Sequence, residues 1–311
     1  MKRRFKFHPA TGRLNIKISK IVLTLSVSLL CVIAVFIFVK AFSSSLFFKS
    51  KDRINIVFYG KNSVYYSFGL RDGVHYFISF YPDVKVKVPG GYGSYRVGGL
   101  GKLVLLENKS DLFRKTFSVT TASTVDRFFY NDTPEIYYGK NEFDENTLAL
   151  PGIKNILLSK SNSSIFDRIY ISLLFFGKQK KHFTEIDYKS SLGIDEEFFQ
   201  DKDFAKKYQG FLYNATYRKE QKAVQIVYKS SYKTALFLSK IIEGDGIRVV
   251  DLQENDDGGG GKCRIIENGE LFSQSSSYLS QFFGCSLEHG VAASSDIIIQ
   301  LRDTEKDWEI L

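Results

Sequence analysis

The most prominent feature of the hydrophobic pattern is a run near the start of the chain. Residues 21–39 are nineteen consecutive positions without a charge, a proline or a glycine. A helix of this length crosses about 30 Å of hydrocarbon, so we predict an uncleaved transmembrane anchor over residues 21–46. A cleaved signal peptide is the alternative, but its apolar core spans only about 7–15 residues, and residues 41–43 match a cleavage site poorly.

Beyond the anchor, apolar and polar positions alternate with the period of two that is typical of β-strands. We predict strands over residues 53–59, 64–70, 74–80 and 84–88. The second and third are separated by Arg71-Asp72-Gly73, whose Asp-Gly pair favours a tight hairpin turn. The pattern therefore predicts a meander of short strands.

The pattern then changes to helical spacing. The first predicted helix covers residues 100–106 and extends towards residues 112 and 113. A second starts within residues 118–124 and carries Val125, Phe128 and Phe129. A third covers residues 163–176, and a short connector helix lies within residues 195–207. In the third of these, Ser163 or Ser164 is suited to cap the helix, and Asp167 lies in its first turn.

In the last ninety residues, strand patterns alternate with helix patterns. Strands are predicted over residues 223–228, 247–252, 263–266 and 296–301, and helices over 232–243 and 275–283. The order βαββαβ allows two right-handed crossovers with both helices on one face, as in a ferredoxin-like sandwich. The predicted fold class is mixed α/β (α+β): a cytoplasmic tail (1–20), the anchor, an α/β domain (53–188), a connector (189–221) and a small α/β domain (222–311).

A glycine-rich stretch occupies residues 88–102. A Walker A loop needs a glycine five residues before its Gly-Lys pair and a Ser or Thr after it, whereas Arg96 and Leu103 stand at those positions around Gly101-Lys102. A dinucleotide-binding fingerprint that begins at Gly91 and Gly93 would need glycine or alanine at position 96, where the chain has Arg96. We interpret the stretch as a strand-turn-helix corner. Its glycines are expected to supply positive φ (Gly90, Gly91, Gly93) and close packing (Gly98, Gly99, Gly101).

The charge distribution predicts the orientation of the anchor and argues against a nucleic-acid partner. The chain has 43 basic and 34 acidic residues. Seven of the basic residues and no acid precede the anchor, so the remainder is nearly neutral and offers no basic groove. By the positive-inside rule the N-terminus is cytoplasmic and the chain beyond the anchor is extracytoplasmic, in a single-pass cell-membrane protein.

The cysteines agree with an exported location. Cys31 lies in the anchor, whereas Cys263 and Cys285 lie 22 residues apart in the exported part. An oxidising compartment favours a disulfide between them, with two buried free thiols as the alternative. The four scattered histidines and the absence of a Cys-x-x-Cys motif offer no metal-ligand spacing.

Two segments near the C-terminus carry a resemblance to a known family. AVQIVYKSSYKTALFLSKIIEGDGIRVVDL and SSDIIIQLRDTEKDW are similar to the opening and closing parts of the LytR C-terminal domain. The order of tail, span and α/β domain upstream resembles the LytR-CpsA-Psr family. Tyr81-Pro82-Asp83 stands where that family has its Pro-Arg-Asp signature, and the arginine is absent.

The resemblance implies a polyprenyl-pyrophosphate-linked glycan as ligand, transferred in the family to peptidoglycan with magnesium. Guanidinium groups suit pyrophosphate, and carboxylate oxygens suit Mg²⁺. The implied ligand-binding residues are Asp83, Arg96 and Arg71, although each could instead be a surface residue and Arg71 an exposed turn residue. No catalytic residue is assigned, and Mg²⁺ is implied only if the site is functional.

We therefore expect a membrane-anchored, extracytoplasmic cell-envelope protein that binds envelope glycan or its lipid-linked precursor, with reduced or no transferase activity. An active transferase remains open because other positions could substitute for the lost arginine. The alternative from a different class is a scaffold of an envelope complex with no small ligand. A eukaryotic lumenal protein is a third option, since Asn108, Asn162 and Asn214 stand in glycosylation triplets.

Overall fold

The computed structural model describes residues 12–43, 45–48, 51–139, 150–193, 197–255, 260–292 and 294–311. The chain divides into two compact units, Met1–Ser50 and Lys51–Leu311. The first unit contains helix α1 (Gly12–Ser43). Its stretch Val22–Ser43 is long and apolar enough to span a membrane by length and composition. The predicted apolar helix is thus confirmed.

The second unit begins with the predicted meander. Strands β1 (Arg53–Phe58), β2 (Ser63–Gly69) and β3 (His75–Phe80) pair antiparallel in sequence order. The turn between β2 and β3 contains Gly73 with φ of 70°, a conformation in which glycine carries no steric penalty. All three predicted strands are confirmed to within one residue at each end.

The glycine-rich stretch forms a hairpin before it reaches a helix. Strands β4 (Lys85–Val88) and β5 (Gly93–Arg96) pair antiparallel, and a single 3₁₀ turn leads into helix α2 (Leu100–Glu107). Positive φ is confirmed at Gly90, Gly91 and Gly93. The predicted turn is therefore confirmed. The helix does not follow it directly, because residues 93–96 are extended and pair with β4.

One helix prediction is wrong. Helix α3 (Asp111–Thr121) is followed by Ala122 as its C-cap, and the residues expected to continue as a helix instead form strand β6 (Arg127–Tyr130). Phe128 packs in the core against α3, whereas Phe129 stacks on Phe58 at a centroid distance of 4.7 Å. A strand buried on both faces reads as a continuous apolar run, which periodicity cannot distinguish from a helix.

The next described elements are α4 (Ile153–Leu158), β7 (Lys160–Ser161), α5 (Ile165–Phe175), β8 (Phe183–Glu185), α6 (Asp201–Tyr208) and α7 (Ala215–Glu220). Among the described residues, six strands form one sheet in the order β7-β6-β1-β2-β3-β8. Helix α3 packs on one face of this sheet and α5 on the other, with Phe175 of α5 at 4.8 Å from Phe68 between ring centroids. Ser164 and Asp167 form the expected cap of α5.

The C-terminal part of the second unit contains the other large sheet. Its described elements are β9 (Ala223–Tyr228), α8 (Tyr232–Gly244), β10 (Arg248–Glu254), β11 (Arg264–Glu267), α9 (Gln274–Phe283), β12 (Ser286–His289), β13 (Ile297–Gln300) and α10 (Thr304–Asp307). The four predicted strands and two predicted helices are confirmed. Residues 256–259 of the predicted loop, and residues 195 and 196 of the predicted connector helix, lie outside the described residues.

The ferredoxin-like arrangement is wrong. The strand order is β10-β9-β13-β11-β12, so β9 and β10 are adjacent and parallel across α8, and β11 and β12 are adjacent and parallel across α9. Strand β13 lies between these two strand pairs, parallel to β9 and antiparallel to β11. The unpredicted β12 has the sequence Ser-Leu-Glu-His, which is too short and polar to stand out as a strand.

Cys263 and Cys285 are joined by a disulfide, as expected, and both are buried in the core between α8, α9 and this sheet. The bridge closes a loop of 22 residues. In the chain-entropy account such a loop stabilises the fold by about 3 kcal/mol. The disulfide is compatible with an extracytoplasmic location, as sequence analysis predicts.

Candidate functional site

A cavity of about 400 Å³ lies at the edge of the six-stranded sheet where β1 and β6 end. These two strands are adjacent and parallel. In open α/β sheets the crevice beyond the carboxyl ends of parallel strands is the usual place for a ligand. The position and volume of the cavity therefore make it the best candidate for a binding site.

The cavity is lined by aromatic rings and amides. Phe58, Tyr59, Tyr66, Phe129 and Tyr130 provide the rings, and Asn62, Asn131 and Asn155 provide the amides. None of the lining residues that the structure describes is charged. Aromatic faces pack against the apolar faces of a ligand, and each side-chain amide offers both donors and an acceptor. Such a lining suits an uncharged molecule rich in hydroxyl groups.

Tyr59 forms a rigid wall of this cavity. Its hydroxyl accepts a hydrogen bond from the Gly101 N–H at 2.7 Å and donates one to the Gly98 carbonyl at 3.1 Å. Its ring lies 4.6 Å from that of Phe113. Burial raises the pKa of Tyr59, so the phenol stays protonated and keeps its donor at neutral pH.

The glycines of the corner explain how Tyr59 fits. A Cβ at position 101 would lie 2.5 Å from Tyr59 Cε1 and 2.6 Å from Pro134 Cβ, and one at Gly98 would overlap the Tyr137 carbonyl. The expected close packing is confirmed at both positions. It is wrong at Gly99, where a Cβ would meet nothing within 4 Å.

Asp83 and Arg96 are brought together at the same edge of the sheet. Arg96 is the last residue of β5, and its Nη1 lies 3.8 Å from Asp83 Oδ1. Asp83 Oδ2 accepts a hydrogen bond from the Gly139 N–H at 2.9 Å. Neither residue lines the cavity, but the Gly98 carbonyl that binds Tyr59 is only two residues beyond Arg96. Their expected roles in ligand contact stay predictions.

Arg71 lies at the opposite edge of the sheet, in the turn after β2. Its Nη1 is 3.8 Å from Asp52 Oδ2, whereas the cavity and Asp83 lie beyond the other end of that strand. A seven-residue strand spans roughly 20 Å, so Arg71 does not belong to the same site. The neighbouring Asp72 is engaged by Arg53, whose Nη2 donates to Oδ2 at 2.8 Å.

The arrangement does not fit a magnesium ion held by the protein alone. In the described parts of the chain, no three His, Cys, Asp or Glu side chains are grouped to hold a metal. Asp83 supplies a single carboxylate, with Arg96 3.8 Å from one oxygen and the Gly139 N–H hydrogen-bonded to the other. Mg²⁺ is usually bound by one or two carboxylates together with the phosphates of a substrate, so an ion at Asp83 would depend on the phosphates of a bound ligand.

A larger groove of about 830 Å³ lies between α6, α7 and the end of α8. It is bordered by Lys206, Arg218 and Arg248, all exposed, and by the half-buried Glu243. Burial raises the pKa of Glu243. Because most of its lining side chains project into solvent, this groove is a surface depression, and we regard the cavity beside Tyr59 as the stronger candidate.

Sequence reasoning missed the cavity residues. Asn131 follows β6 directly, and Asn62 lies four residues beyond the end of β1. Polar residues after two parallel strands are a signal that could have identified this edge. The apolar run of β6 predicts a helix, which hides this signal.

Comparisons with known proteins yield two distant structural similarities. No protein-family profile matches the chain, and no curated protein matches it. The crystal structure of the Bacillus subtilis transcriptional regulator yvhJ is similar with 12% identity and a TM-score of 0.33. That of B. subtilis TagV is similar with 11% identity and a TM-score of 0.36. Each comparison covers 52% of this chain and 98% of the other. Neither similarity is close enough to assign the chain to a family.

Proposed function

We propose that this protein is a membrane-anchored, extracytoplasmic cell-envelope protein of LytR-CpsA-Psr type that binds a glycan. Helix α1 is the anchor, and residues 53–188 and 222–311 are the two exported domains. The basic tail before the anchor supports the orientation through the positive-inside rule. The Cys263–Cys285 disulfide is compatible with the exported location.

The observation that carries the glycan proposal is the lining of the cavity beside Tyr59. Sugar rings present apolar C–H faces and many hydroxyls, which match aromatic rings and side-chain amides. A volume of about 400 Å³ lies within the range of small-ligand sites, roughly 300–1,000 Å³. The glycan part of a lipid-linked precursor and a free envelope glycan present the same chemistry to these residues.

The protein binds without efficient transfer. Pro82 stands where the family signature has an arginine, so no guanidinium is available at that position to bind pyrophosphate. Arg96 is oriented towards Asp83, which offsets its charge. Removal of one preorganised donor to a developing charge commonly lowers the rate by about 10²–10³-fold, so any remaining transfer to peptidoglycan is slow.

The test is a titration of the full-length protein in detergent with peptidoglycan saccharide fragments and, separately, with a polyprenyl pyrophosphate, with and without Mg²⁺. Glycan binding should weaken at least tenfold in the Asn62→Ala/Asn155→Ala variant, because two amides would be lost from the cavity. Asn268→Ala, an exposed asparagine beyond β11, is the matched control and should leave affinity unchanged.

The lipid arm separates the two ligand forms. Binding of polyprenyl pyrophosphate that needs Mg²⁺ and is lost in Arg96→Ala would place the pyrophosphate at the Asp83–Arg96 pair and favour the lipid-linked precursor. Absence of binding in every arm would refute the glycan proposal and leave the scaffold function.

A further inference from the structure

The outward face of helix α5 is apolar along its whole length. Ile165, Ile169 and Leu173 are four residues apart, so they lie on one side of the helix, and Phe176 follows directly after its last residue. Their exposed fractions are 59%, 50%, 62% and 73%. We refer to these four residues as the α5 stripe.

The opposite face of α5 is already used by the core. Ile171 and Phe175 are buried, and the Phe175 ring lies 5.1 Å from Tyr66 and 4.8 Å from Phe68. A helix that is apolar on both its buried and its outward side is expected to be covered on both sides. The α5 stripe therefore indicates a second contact in addition to the sheet.

Helix α4 extends the exposed apolar surface. Leu157 and Leu158 are exposed, and α4 is held to α5 by Arg168, whose Nη1 donates to the carbonyls of Ile156 at 2.7 Å and Leu157 at 3.0 Å. Contiguous apolar surface of this kind marks a protein or membrane contact.

The charges around the stripe distinguish between these partners. Residues 150–182 contain six basic residues and a single acid. That acid, Asp167, is buried and accepts a hydrogen bond from Arg127 at 2.9 Å. Lys178, Lys180 and Lys181 follow directly after the end of the stripe. An apolar stripe bordered by lysines is complementary to a surface of anionic lipid headgroups.

The stripe also ends near the start of β1, the first strand after the anchor in the sequence. Lys178 Nζ lies 3.0 Å from His75 Nε2, and His75 pairs with Phe68, which pairs with Ile54 at the start of β1. Only nine residues separate Ser43 from Arg53, which together reach at most about 35 Å. The length of this linker therefore limits how far the start of β1 can lie from the membrane that the anchor spans.

We infer that the α5 stripe docks onto the surface of the membrane that α1 spans. The inference depends on the membrane anchorage in the proposed function. The four apolar side chains enter the boundary between headgroups and acyl chains, and Lys180 and Lys181 lie against anionic headgroups. Because the cavity lies beyond the other end of β1, docking leaves the cavity at the edge away from the tether.

The test uses the full-length protein reconstituted in phosphatidylcholine vesicles with and without phosphatidylglycerol. Leu173→Trp places a reporter in the stripe, and Leu271→Trp is the matched control, because Leu271 is 88% exposed but lies in the C-terminal part. The native Trp308 is buried and contributes the same background to both. Quenching by brominated lipids should be several-fold stronger for position 173 than for position 271.

A charge reversal separates headgroup attraction from simple apolar adsorption. Lys180→Glu/Lys181→Glu should lower the quenching of Trp at position 173 in the anionic vesicles. Lys202→Glu/Lys229→Glu, with the same change in net charge at exposed lysines elsewhere, should not lower it.

Flotation of the vesicles distinguishes the failure of this inference from the failure of the anchor. Equal quenching at positions 173 and 271 in protein that floats with the vesicles would overturn the docking inference alone. Protein that does not float would overturn the membrane anchorage and the docking together. A blue-shifted emission at position 173 that depends on protein concentration and resists the brominated lipids would show that a second copy covers the stripe, and would overturn lipid docking.

Discussion

Replacement of Gly101 by alanine tests the packing on which the candidate site depends. Gly101 is the second residue of α2, where alanine would ordinarily stabilise the helix by about 1 kcal/mol. In this fold the new Cβ would lie 2.5 Å from Tyr59 Cε1 and 2.6 Å from Pro134 Cβ. Both distances are far below van der Waals contact, so either the tyrosine ring or the helix must move.

The expected cost follows from these contacts. Overpacking of a filled core costs about 1–3 kcal/mol, and a shift of Tyr59 also weakens its 2.7 Å hydrogen bond with the Gly101 N–H, a loss of about 1 kcal/mol. After subtraction of the helix-propensity gain, we expect a net destabilisation of about 2 kcal/mol. Because Tyr59 lines the cavity, glycan affinity should fall as well.

Gly99→Ala is the matched control, since a Cβ there would meet nothing within 4 Å and the capping preference changes stability by less than about 1 kcal/mol. The assay is urea unfolding of the full-length protein in detergent, followed by circular dichroism. If Gly101→Ala unfolds at the same urea concentration as Gly99→Ala, or at a higher one, the close approach of Tyr59 to α2 is wrong.

Further predictions concern the second unit and its location. Asp245 is buried and accepts hydrogen bonds from Ser123 Oγ at 2.7 Å, the Thr124 N–H at 3.0 Å and Tyr278 Oη at 2.6 Å. Asp245→Ala leaves these donors unpaired and should lower the free energy of unfolding in urea by about 3 kcal/mol. A loss below about 1 kcal/mol would contradict the importance of this network. Burial raises the pKa of Asp245 above its ordinary value of 3.8, so the protonated form stabilises the fold at low pH. The free energy of unfolding should therefore fall as pH rises through the raised pKa. Asp245→Asn should remove this part of the pH dependence. The double variant Cys263→Ser/Cys285→Ser should lose about 3 kcal/mol, and dithiothreitol should lower the stability of the parent but not of the variant. An exposed cysteine introduced by Leu271→Cys should react with a membrane-impermeant maleimide on intact cells; labelling only after lysis would contradict the extracytoplasmic location.

The Tyr59 site shows where sequence reasoning stopped. The turn glycines Gly90, Gly91 and Gly93 could be predicted, because positive φ is a local requirement that glycine meets without strain. The pairing of Gly93–Arg96 with β4, and with it the proximity of Arg96 to Asp83, could not be predicted, because the same stretch favours a turn that leads straight into a helix. The cavity could not be predicted either, since it depends on β6 lying parallel to β1, and the apolar run of β6 predicts a helix.

The C-terminal part gives a second example. Its helices and four of its strands were predictable from periodicity, because one buried face imposes a repeat of 3.6 or 2 residues on the local sequence. The position of β13 between β9 and β11 has no such signature in the sequence. A strand shows the same pattern of buried apolar side chains whether its neighbour is parallel or antiparallel. Strand order is a property of non-local pairing, which local patterns do not encode.

The apolar helix near the N-terminus, the mixed α/β class, the meander and the pairing of Cys263 with Cys285 could all be predicted from the sequence. Each depends on length, period or residue chemistry within a short segment, or on a choice among few partners. The folded chain was needed to show that Arg71 lies apart from Asp83 and Arg96, that aromatic rings and asparagines line a cavity, and that the outward face of α5 is apolar. These features arise from distant segments meeting across a sheet, where packing and burial rather than local pattern determine which side chains share a surface.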